Sequence, residues 1–572
     1  MTKKEQNPPK TSLKENWWKE EVFYQIYPRS FKDSNGDGIG DLQGIIEKLD
    51  YLNDGTSDSL GIDAIWFSPF FTSPDYDFGY DISDYCDIDP RYGSIKDFDR
   101  LLKECHKRNI KVMLDMVFNH SSIEHPWFKE SRSSRVNPKR NWYIWRDGLG
   151  PSNKPPNNWR NNFFGPAWTW DEETGQYYLH SFLPEQPDLN WFNPEVREAI
   201  YDVLHFWLKR GVDGFRFDVA HHYCKDELLR NNPSFLVKDK FESEKMPWKD
   251  RALQANLFYL LGLPEFQKTK YNKHHPETHN VLKEIRAVID SYPAKTSVGE
   301  IENEDPAVTA CYYGDNDELH MNFYFDLMFC TWKAEAFRRC IDRWENVLPE
   351  GAWPAYTFSN HDQDRAFSKH DSRGKGDARA RAMALMLLTL RGTPFIYYGE
   401  EIGMKNAKIL KSELKDPVGI KYYPVYRGRD GARTPMQWED APAAGFTTGE
   451  PWLPVGPEID KRNVSVEEKN PGSLLNLYKK LIRIRKEKPV LQRGSYRSLE
   501  KGVPKNCYLY LRELDDEKLL VAINFSHKEV TIPLTQKDKA FDILISTDSQ
   551  REELKAGQDI NLGPSEGVLI KL

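Results

Sequence analysis

Cysteine is scarce in this chain: seven residues, an odd number, with no Cys-x-x-Cys pair. That pattern excludes a disulfide framework and a zinc-ligand motif, and leads us to expect reduced thiols in a cytoplasmic protein. Positive charge is short as well, with 80 Lys and Arg against 87 Asp and Glu and a formal charge of −7. Neutralising a phosphate backbone needs clustered Lys and Arg, so nucleic acid is not an expected partner. No apolar run is long enough for a bilayer-spanning helix. The start of the chain, MTKKEQNPPKTSLKEN, has no apolar segment of the kind a secretory signal needs, so no membrane partner is expected. Internal repeats and low-complexity segments are missing too. No Gly-x-Gly-x-x-Gly follows a strand, which argues against a doubly wound dinucleotide fold.

What the chain has in quantity is length and aromatic rings. Its 572 residues exceed one simple core, and about two to four domains are expected. Aromatics make up 13%, with 17 Trp and 28 Tyr, which suits a large core or flat surfaces that stack on sugars or bases.

Residues 1–20 are polar and read as a loose arm or surface strap. From there apolar strands alternate with amphipathic helices. Eight strands are expected, opening at Val22, Ile62, Ile110, Val212, Lys295, Leu319, Ala352 and Thr393. Eight strands with helical crossovers predict a closed (β/α)8 TIM barrel, an α/β fold. Between about His125 and Asn190 the periodicity dissolves into Trp, Asn, Pro and Gly, for example NNWRNNFFGPAWTW. A stretch that long without regular elements is usually functional, and it reads as an inserted domain after the third strand. The helix NPEVREAIYDVLHFWLKRG has Asn193 as cap, Pro194 at its first position and Gly211 past its end. A partly helical insertion is expected from the fourth strand to about Tyr292. The resulting division is barrel over 21–120, inserted domain over 121–190, and barrel again over 191–489, with a loop-rich insertion at about 402–470. Beyond it, CYLYLREL, KLLVAINF and EVTIPL alternate with period two, so residues 490–572 read as an all-β domain.

In such a barrel the reactive groups sit at the carboxyl ends of the strands. Those ends carry Asn119-His120, Arg216 and Asp218 in GFRFDVAH, Glu300 in SVGEIE, and Asn360-His361-Asp362. Arg216 and Asp218 share a strand face by alternation; taken alone, a structural ion pair is as good a reading. Three carboxylates on separate strands are hard to explain as packing. Two carboxyl groups flanking a bond are the minimum for glycoside hydrolysis. Asp218, beside Arg216, is expected to stay ionised and act as nucleophile, and Glu300, among apolar neighbours, to be the acid/base. Asp362 would stabilise positive charge on the sugar, and the histidines would donate to its hydroxyls. Asp33, Asn35, Asp37, Ile39 (through its carbonyl) and Asp41 place oxygen donors at alternate positions in a Gly-rich loop. That suits a structural hard cation, calcium or else magnesium; the alternative is an Asx/Gly turn without metal.

Four motifs in order, DMVFNH (115–120), GFRFDVAH (214–221), GEIE around Glu300 and FSNHDQDR (358–365), resemble glycoside hydrolase family 13, the α-amylase family. Within it they resemble the exo-acting α-glucosidase and oligo-1,6-glucosidase branch. The resemblance implies the barrel, the inserted domain, the terminal β-domain and the roles just given to Asp218, Glu300 and Asp362. It also implies that Asp81 of FGYDISDY grips the terminal glucose, with Arg429 of GRDGARTPMQW as its partner, walling off the site so that the enzyme acts from chain ends. Phe164 and Tyr85 are implied aromatic contacts, with core packing as the alternative; Arg216, His120 and His361 complete the expected substrate set, and the 33–41 loop matches the branch's metal site. Val219 after the nucleophile resembles enzymes of α-1,6 or sucrose-like substrates, whereas DVAHHYCKDELLRNNP resembles maltose-type α-glucosidases, so linkage stays open. The implied substrates are small α-glucosides of maltose, isomaltose or sucrose type, processed by a monomer or homodimer. An isomerase or glucosyl transferase uses the same covalent intermediate. A non-catalytic amylase-like scaffold would have lost catalytic carboxylates that this chain keeps.

Overall fold

The computed structural model describes residues 16–233, 269–372, 374–533, 542–549, 551 and 559–572. Eight short strands close into one parallel barrel: β1 (Phe23–Ile26), β2 (Ala64–Phe67), β3 (Lys111–Met116), β4 (Gly214–Phe217), β5 (Thr296–Gly299), β6 (Met321–Phe323), β7 (Trp353–Tyr356) and β8 (Thr393–Tyr397). Each pairs with its neighbour in sequence, and β1 closes on β8. All eight begin within two residues of the expected positions. These strands are buried on both faces and read as apolar runs bounded by turns, which is why the sequence marks them.

Period two decides what faces the barrel interior. Phe23, Ala64, Trp66, Met113, Val298, Met321, Phe323, Ala355 and Phe395, drawn from seven of the strands, pack into one cluster that only the interior can host. Two residues further along the same faces stand Gln25, Ser68, Asp115, Glu300 and, on β4, Arg216 followed by Asp218. The interior is therefore apolar at its base and polar at its mouth. The base is closed by Trp17 and Trp18, 4% and 5% exposed, which join the same cluster. Trp17 Nε1 donates to Ala294 O at 2.9 Å. The described end of the amino-terminal arm is thus a plug rather than a loose strap; two large apolar rings outweigh the polar residues around them.

The helix before β4 spans Pro194–Arg210, with Asn193 accepting from Glu195 N and Gly211 at φ 104° ending it. Val196, Ile200, Val203, Leu204 and Trp207 are its buried stripe. Residues 234–268 of the insertion expected after β4 lie outside the described residues; its described part ends with the helix Glu277–Asp290. The excursion after β3 contains the helix Pro126–Ser133 and a three-stranded antiparallel sheet of Trp145–Arg146, Gln176–Leu179 and Trp168–Asp171. Strands of two to four residues are too short to show alternation, so the sequence pattern dissolved there. Lys225, from the segment after β4, anchors this excursion: its Nζ lies 2.9 Å from Asp188 Oδ2 and donates to Asn119 Oδ1 at 2.8 Å. At the carboxyl end a five-stranded antiparallel sheet and a two-stranded ribbon form the all-β domain. Its Arg512 Nη1 donates to Thr389 O at 2.6 Å, on the barrel side. Among the described residues no helix is long and apolar enough to cross a membrane.

Candidate active site

The site is organised by one guanidinium. Arg216 is wholly buried on β4, directly across from Asp115 on β3, and its guanidinium lies over the Trp66 ring, 5.2 Å from the centroid. Nη1 donates to Asp115 Oδ1 and to Asp218 Oδ1, each at 2.7 Å, and Nη2 donates to Glu300 Oε2. The barrel ladder fixes both strand-end acids: Asp218 N donates to Met116 O and Glu300 N to Phe217 O, each at 3.0 Å. Between them Val219 adopts a left-handed conformation, φ 34° and ψ 44°, and its amide points at Glu300 Oε2, 3.3 Å away. A β-branched residue there costs on the order of 1–3 kcal/mol, a strain typical of functional turns.

Asp362 stands opposite, held by cations and a neutral imidazole. Arg433 Nη2 donates to its Oδ1 at 2.8 Å and Arg429 Nη1 at 3.3 Å. His361 Nδ1 accepts from Gln25 Nε2 at 2.8 Å, which leaves the proton on Nε2, 3.0 Å from Asp362 Oδ2. Tyr80 connects the two halves: its hydroxyl donates to Asp115 Oδ2 at 3.1 Å and lies 2.6 Å from His361 Nε2. Contacts thus run without a break from Glu300 through Arg216, Asp115, Tyr80, His361 and Asp362 to Arg429. Within this ring Asp115 is sealed at 0%, whereas the side chains of Asp218, Glu300 and Asp362 keep 9%, 16% and 29% of their surface open. The three expected catalytic acids are therefore the ones a ligand can reach.

Their environments differ. Burial pushes Glu300 up to about 8, with Arg216 opposing and Asp218 adding to the rise. Burial also pushes Asp218 up to about 7 and Asp115 up to about 6, against Arg216. The expectation that Arg216 keeps Asp218 fully ionised therefore needs correction. One cation is divided among three buried carboxylates, and its share does not offset desolvation. Burial acts on Asp362 as well, but His361, Arg433 and Arg429 together hold it well below the usual carboxylate range. The arrangement contains a permanent anion, a carboxyl that keeps its proton near neutrality, and a carboxylate that loses its proton first of the adjacent pair. If these two drive turnover, the adjacent pair titrates as a unit with apparent values of about 7 and about 8, and kcat/KM falls on the acid side as the pair takes up its second proton and on the alkaline side as it loses its last. A pH–rate series shows this as a narrow optimum between those limbs; a maximum below pH 5 would contradict it.

The remaining expected residues divide. Arg429 lines the site, but its acid partner is Asp77, not Asp81: Nη2 donates to Asp77 Oδ1 at 2.7 Å. Asp81 is fully buried, and its oxygens accept from Tyr76 N, Asp77 N and Ser73 Oγ at 2.9–3.0 Å. It folds the loop that presents Asp77. Both acids lie in one short segment, and only the fold tells them apart. Tyr85 is core: it is 2% exposed, and its hydroxyl donates to Val117 O and His120 O. His120, 1% exposed, has Nδ1 against Asn119 Nδ2 and Nε2 2.9 Å from Tyr80 O, so it braces Tyr80. His361 likewise spends its ring on Asp362 and Gln25 rather than on a free donor. Phe164 is 38% exposed at a turn, edge-on to Tyr422, while its neighbour Phe163 faces the Arg429 guanidinium at 5.4 Å. A groove of about 680 Å³ lined by Pro442, Thr447, Pro451 and Val455 includes none of these residues.

The 33–41 loop closes on its own side chains. Asp33 accepts from the amides of Asn35, Gly36 and Gly38, Asn35 Oδ1 from Asp37 N, Asp37 Oδ1 from Ile39 N, and Asp41 from Ser34 N and Gly44 N, all within 2.7–2.9 Å. The donors are all oxygen, the chemistry of a hard cation. Among the described residues, however, no three acidic, His or Cys side chains are gathered as a metal site. A cation here would exchange some of those amide contacts for its own.

Fold and site define a (β/α)8-barrel enzyme with three reachable carboxylates at its mouth. The chain belongs to the α-amylase family: residues 25–494 match the family described as alpha amylase, catalytic domain, and residues 508–568 the alpha-amylase SusG C-terminal domain. It is 42% identical to a probable alpha-glucosidase of Rhizobium meliloti over 91% of this chain and 92% of that protein. It is 40% identical to an oligo-1,6-glucosidase of Parageobacillus thermoglucosidasius, covering 97% and 99%. Among solved structures, the alpha-glucosyl transfer enzyme XgtA superposes with a TM-score of 0.86 at 41% identity, covering 97% of this chain and 99% of that one.

Proposed function

We propose that the protein is a retaining, exo-acting α-glucosidase that takes terminal glucose from short α-glucosides through a covalent intermediate on Asp218. The observation that carries this reading is the attachment of Asp218 and Glu300 to the two Nη atoms of one guanidinium. Retaining enzymes separate their carboxyls by about 5–5.5 Å, whereas inverting enzymes need about 6.5–9.5 Å to admit a water between acid and base. Two acids bridged by a single guanidinium suit the shorter spacing. Glu300 gives its proton to the departing oxygen as Asp218 attacks the anomeric carbon, and then takes a proton from the incoming water. Asp362 offsets the charge that develops on the ring. The Asp77–Arg429 pair ends the site and supports action from chain ends. The names of the relatives, α-glucosidase and oligo-1,6-glucosidase, support small α-glucosides of maltose, isomaltose or sucrose type. The intermediate can also be captured by a sugar hydroxyl, and the similarity to a glucosyl transfer enzyme supports transglucosylation as a second outcome. The seven cysteines, all free thiols, suit a reducing cytoplasm. Early-time NMR of the glucose released from each disaccharide tests the proposal: α-glucose first supports it, and β-glucose first overturns it.

The same reading places a hard cation, calcium or magnesium, on the 33–41 loop, supported by its oxygen-only donors. Thorough chelation is then expected to lower the Tm while kcat changes little, because the loop follows β1 and contains none of the three catalytic acids. An unchanged Tm, with no metal found by elemental analysis, would leave the loop a self-sufficient turn.

A further inference from the structure

We propose that Asp416 is a positioning residue of the reaction, fixing Arg429 in the orientation from which it closes the glucose site. This rests on the proposed reading of Asp77 and Arg429 as the end wall. Asp416 is fully buried in the long loop after β8. Its Oδ2 accepts from the Arg429 backbone amide at 2.7 Å and from Nε at 3.0 Å, and its Oδ1 accepts from Nη2 at 3.1 Å. The Nε edge of the guanidinium is thereby given to the anchor. Nη2 is shared between this anchor and Asp77, which it meets at 2.7 Å, and Nη1 is left to face Asp362 at 3.3 Å. A two-point carboxylate contact fixes the plane of a guanidinium, which a point charge cannot do. Among the described residues, the other acids paired with Arg429 are Asp77 and Asp362, both on the site side.

The anchor is itself held. Asp430 Oδ2 accepts from Lys415 N at 2.6 Å and Asp416 N at 2.9 Å, so residues 415–416 and 429–430 clamp each other through backbone amides. Gly428, at φ +75°, permits the close approach: a Cβ there would come within 2.7 Å of Asp416 Oδ2. Burial would raise the Asp416 carboxyl, but Arg429 draws it down to about 2, so it stays an anion wherever the enzyme works. Asp416 has a second, separable task. Its Oδ1 accepts from Val418 N at 3.1 Å and caps the helix Pro417–Tyr422. Tyr422 then donates its hydroxyl to Phe163 O, 3.0 Å away in the inserted domain.

Asn in place of Asp416 keeps an acceptor for the cap but turns an NH2 group toward the donors of Arg429. We therefore expect Asp416→Asn to raise KM for the α-glucoside about ten- to a hundredfold, the size of a lost charge-assisted contact, with a smaller change in kcat. The decisive measurement is a double-mutant cycle with Arg429→Ala, with the Tm of every variant recorded. In the Arg429→Ala background, Asp416→Asn is expected to add nothing to KM. Losses that multiply, or a wild-type KM in Asp416→Asn beside a raised KM in Arg429→Ala, overturn the positioning role. An Arg429→Ala enzyme with unchanged KM overturns the end wall itself. Should Asp416→Asn fail to fold, Asp416→Ser, which also caps, enters the same cycle.

Discussion

Asp218→Asn is expected to abolish turnover, by at least about 10⁴-fold, while the barrel stays folded. Three buried carboxylates share the Arg216 cation, so losing one negative charge still leaves the guanidinium paired with Asp115 and Glu300. The Asn oxygen can keep the place of Asp218 Oδ1, 2.7 Å from Nη1. No cavity opens, and a buried like charge is removed, so the Tm is expected to be no lower than that of the parent. What disappears is the carboxylate proposed to bond the anomeric carbon. A second consequence follows from the electrostatics: Asp218 helps to raise Glu300, which stands at about 8 in the parent. In the variant Glu300 therefore titrates lower, which NMR of a labelled carboxyl would register. Glucose release near the parent rate, or a collapsed Tm, would remove Asp218 from the nucleophile's place.

How much of this was legible from the chain depends on whether the deciding contact is local. The strands announce themselves because parallel barrel strands are apolar runs closed by turns, and GFRFD shows two charges on an otherwise buried strand. The end of that strand was less clear. Phe217 is its last residue, and Val219, which continues the apolar alternation, instead turns left-handed to aim its amide at Glu300. Asp77 and Asp81 are both plausible in YDFGYD; what separates them is that Asp81 collects the amides of Tyr76 and Asp77, leaving Asp77 free to meet a residue far along the chain. Phe163 and Phe164 are adjacent, and the positive φ of Phe164 decides which ring meets Arg429. Asp416 reads from sequence as an ordinary Asp-Pro helix start, and that cap is real. Its hold on Arg429 spans thirteen residues of irregular loop, which no periodicity encodes. Trp17 and Trp18 were hidden by the opposite effect, since a polar neighbourhood masks two rings that the barrel base can bury.

Glu300→Gln is expected to separate the proton from the site's shape. Gln keeps an oxygen for Arg216 and nearly the same volume, but it has no proton to give. A sugar leaving group departs as an alkoxide unless it is protonated, so hydrolysis of a disaccharide should fall about 10²- to 10⁴-fold. An aryl α-glucoside with an acidic phenol needs no such help in the first step. There the phenol should appear in a burst, followed by slow turnover, because the same residue serves as base when water attacks the intermediate; an added small anionic nucleophile should speed that second step. Equal losses on both substrate types would remove Glu300 from the acid's role. Stability supplies an independent reading of the same proton. An unfolded Glu titrates near 4.3, roughly, whereas Glu300 in the fold titrates at about 8. Between those values the folded state binds the extra proton, so this group's contribution to stability declines as pH rises and is lost above about 8. Gln carries no such dependence. The Tm of Glu300→Gln relative to the parent should therefore climb as pH is raised from 5 to 9, and a constant difference would mean that burial does not hold the proton on Glu300.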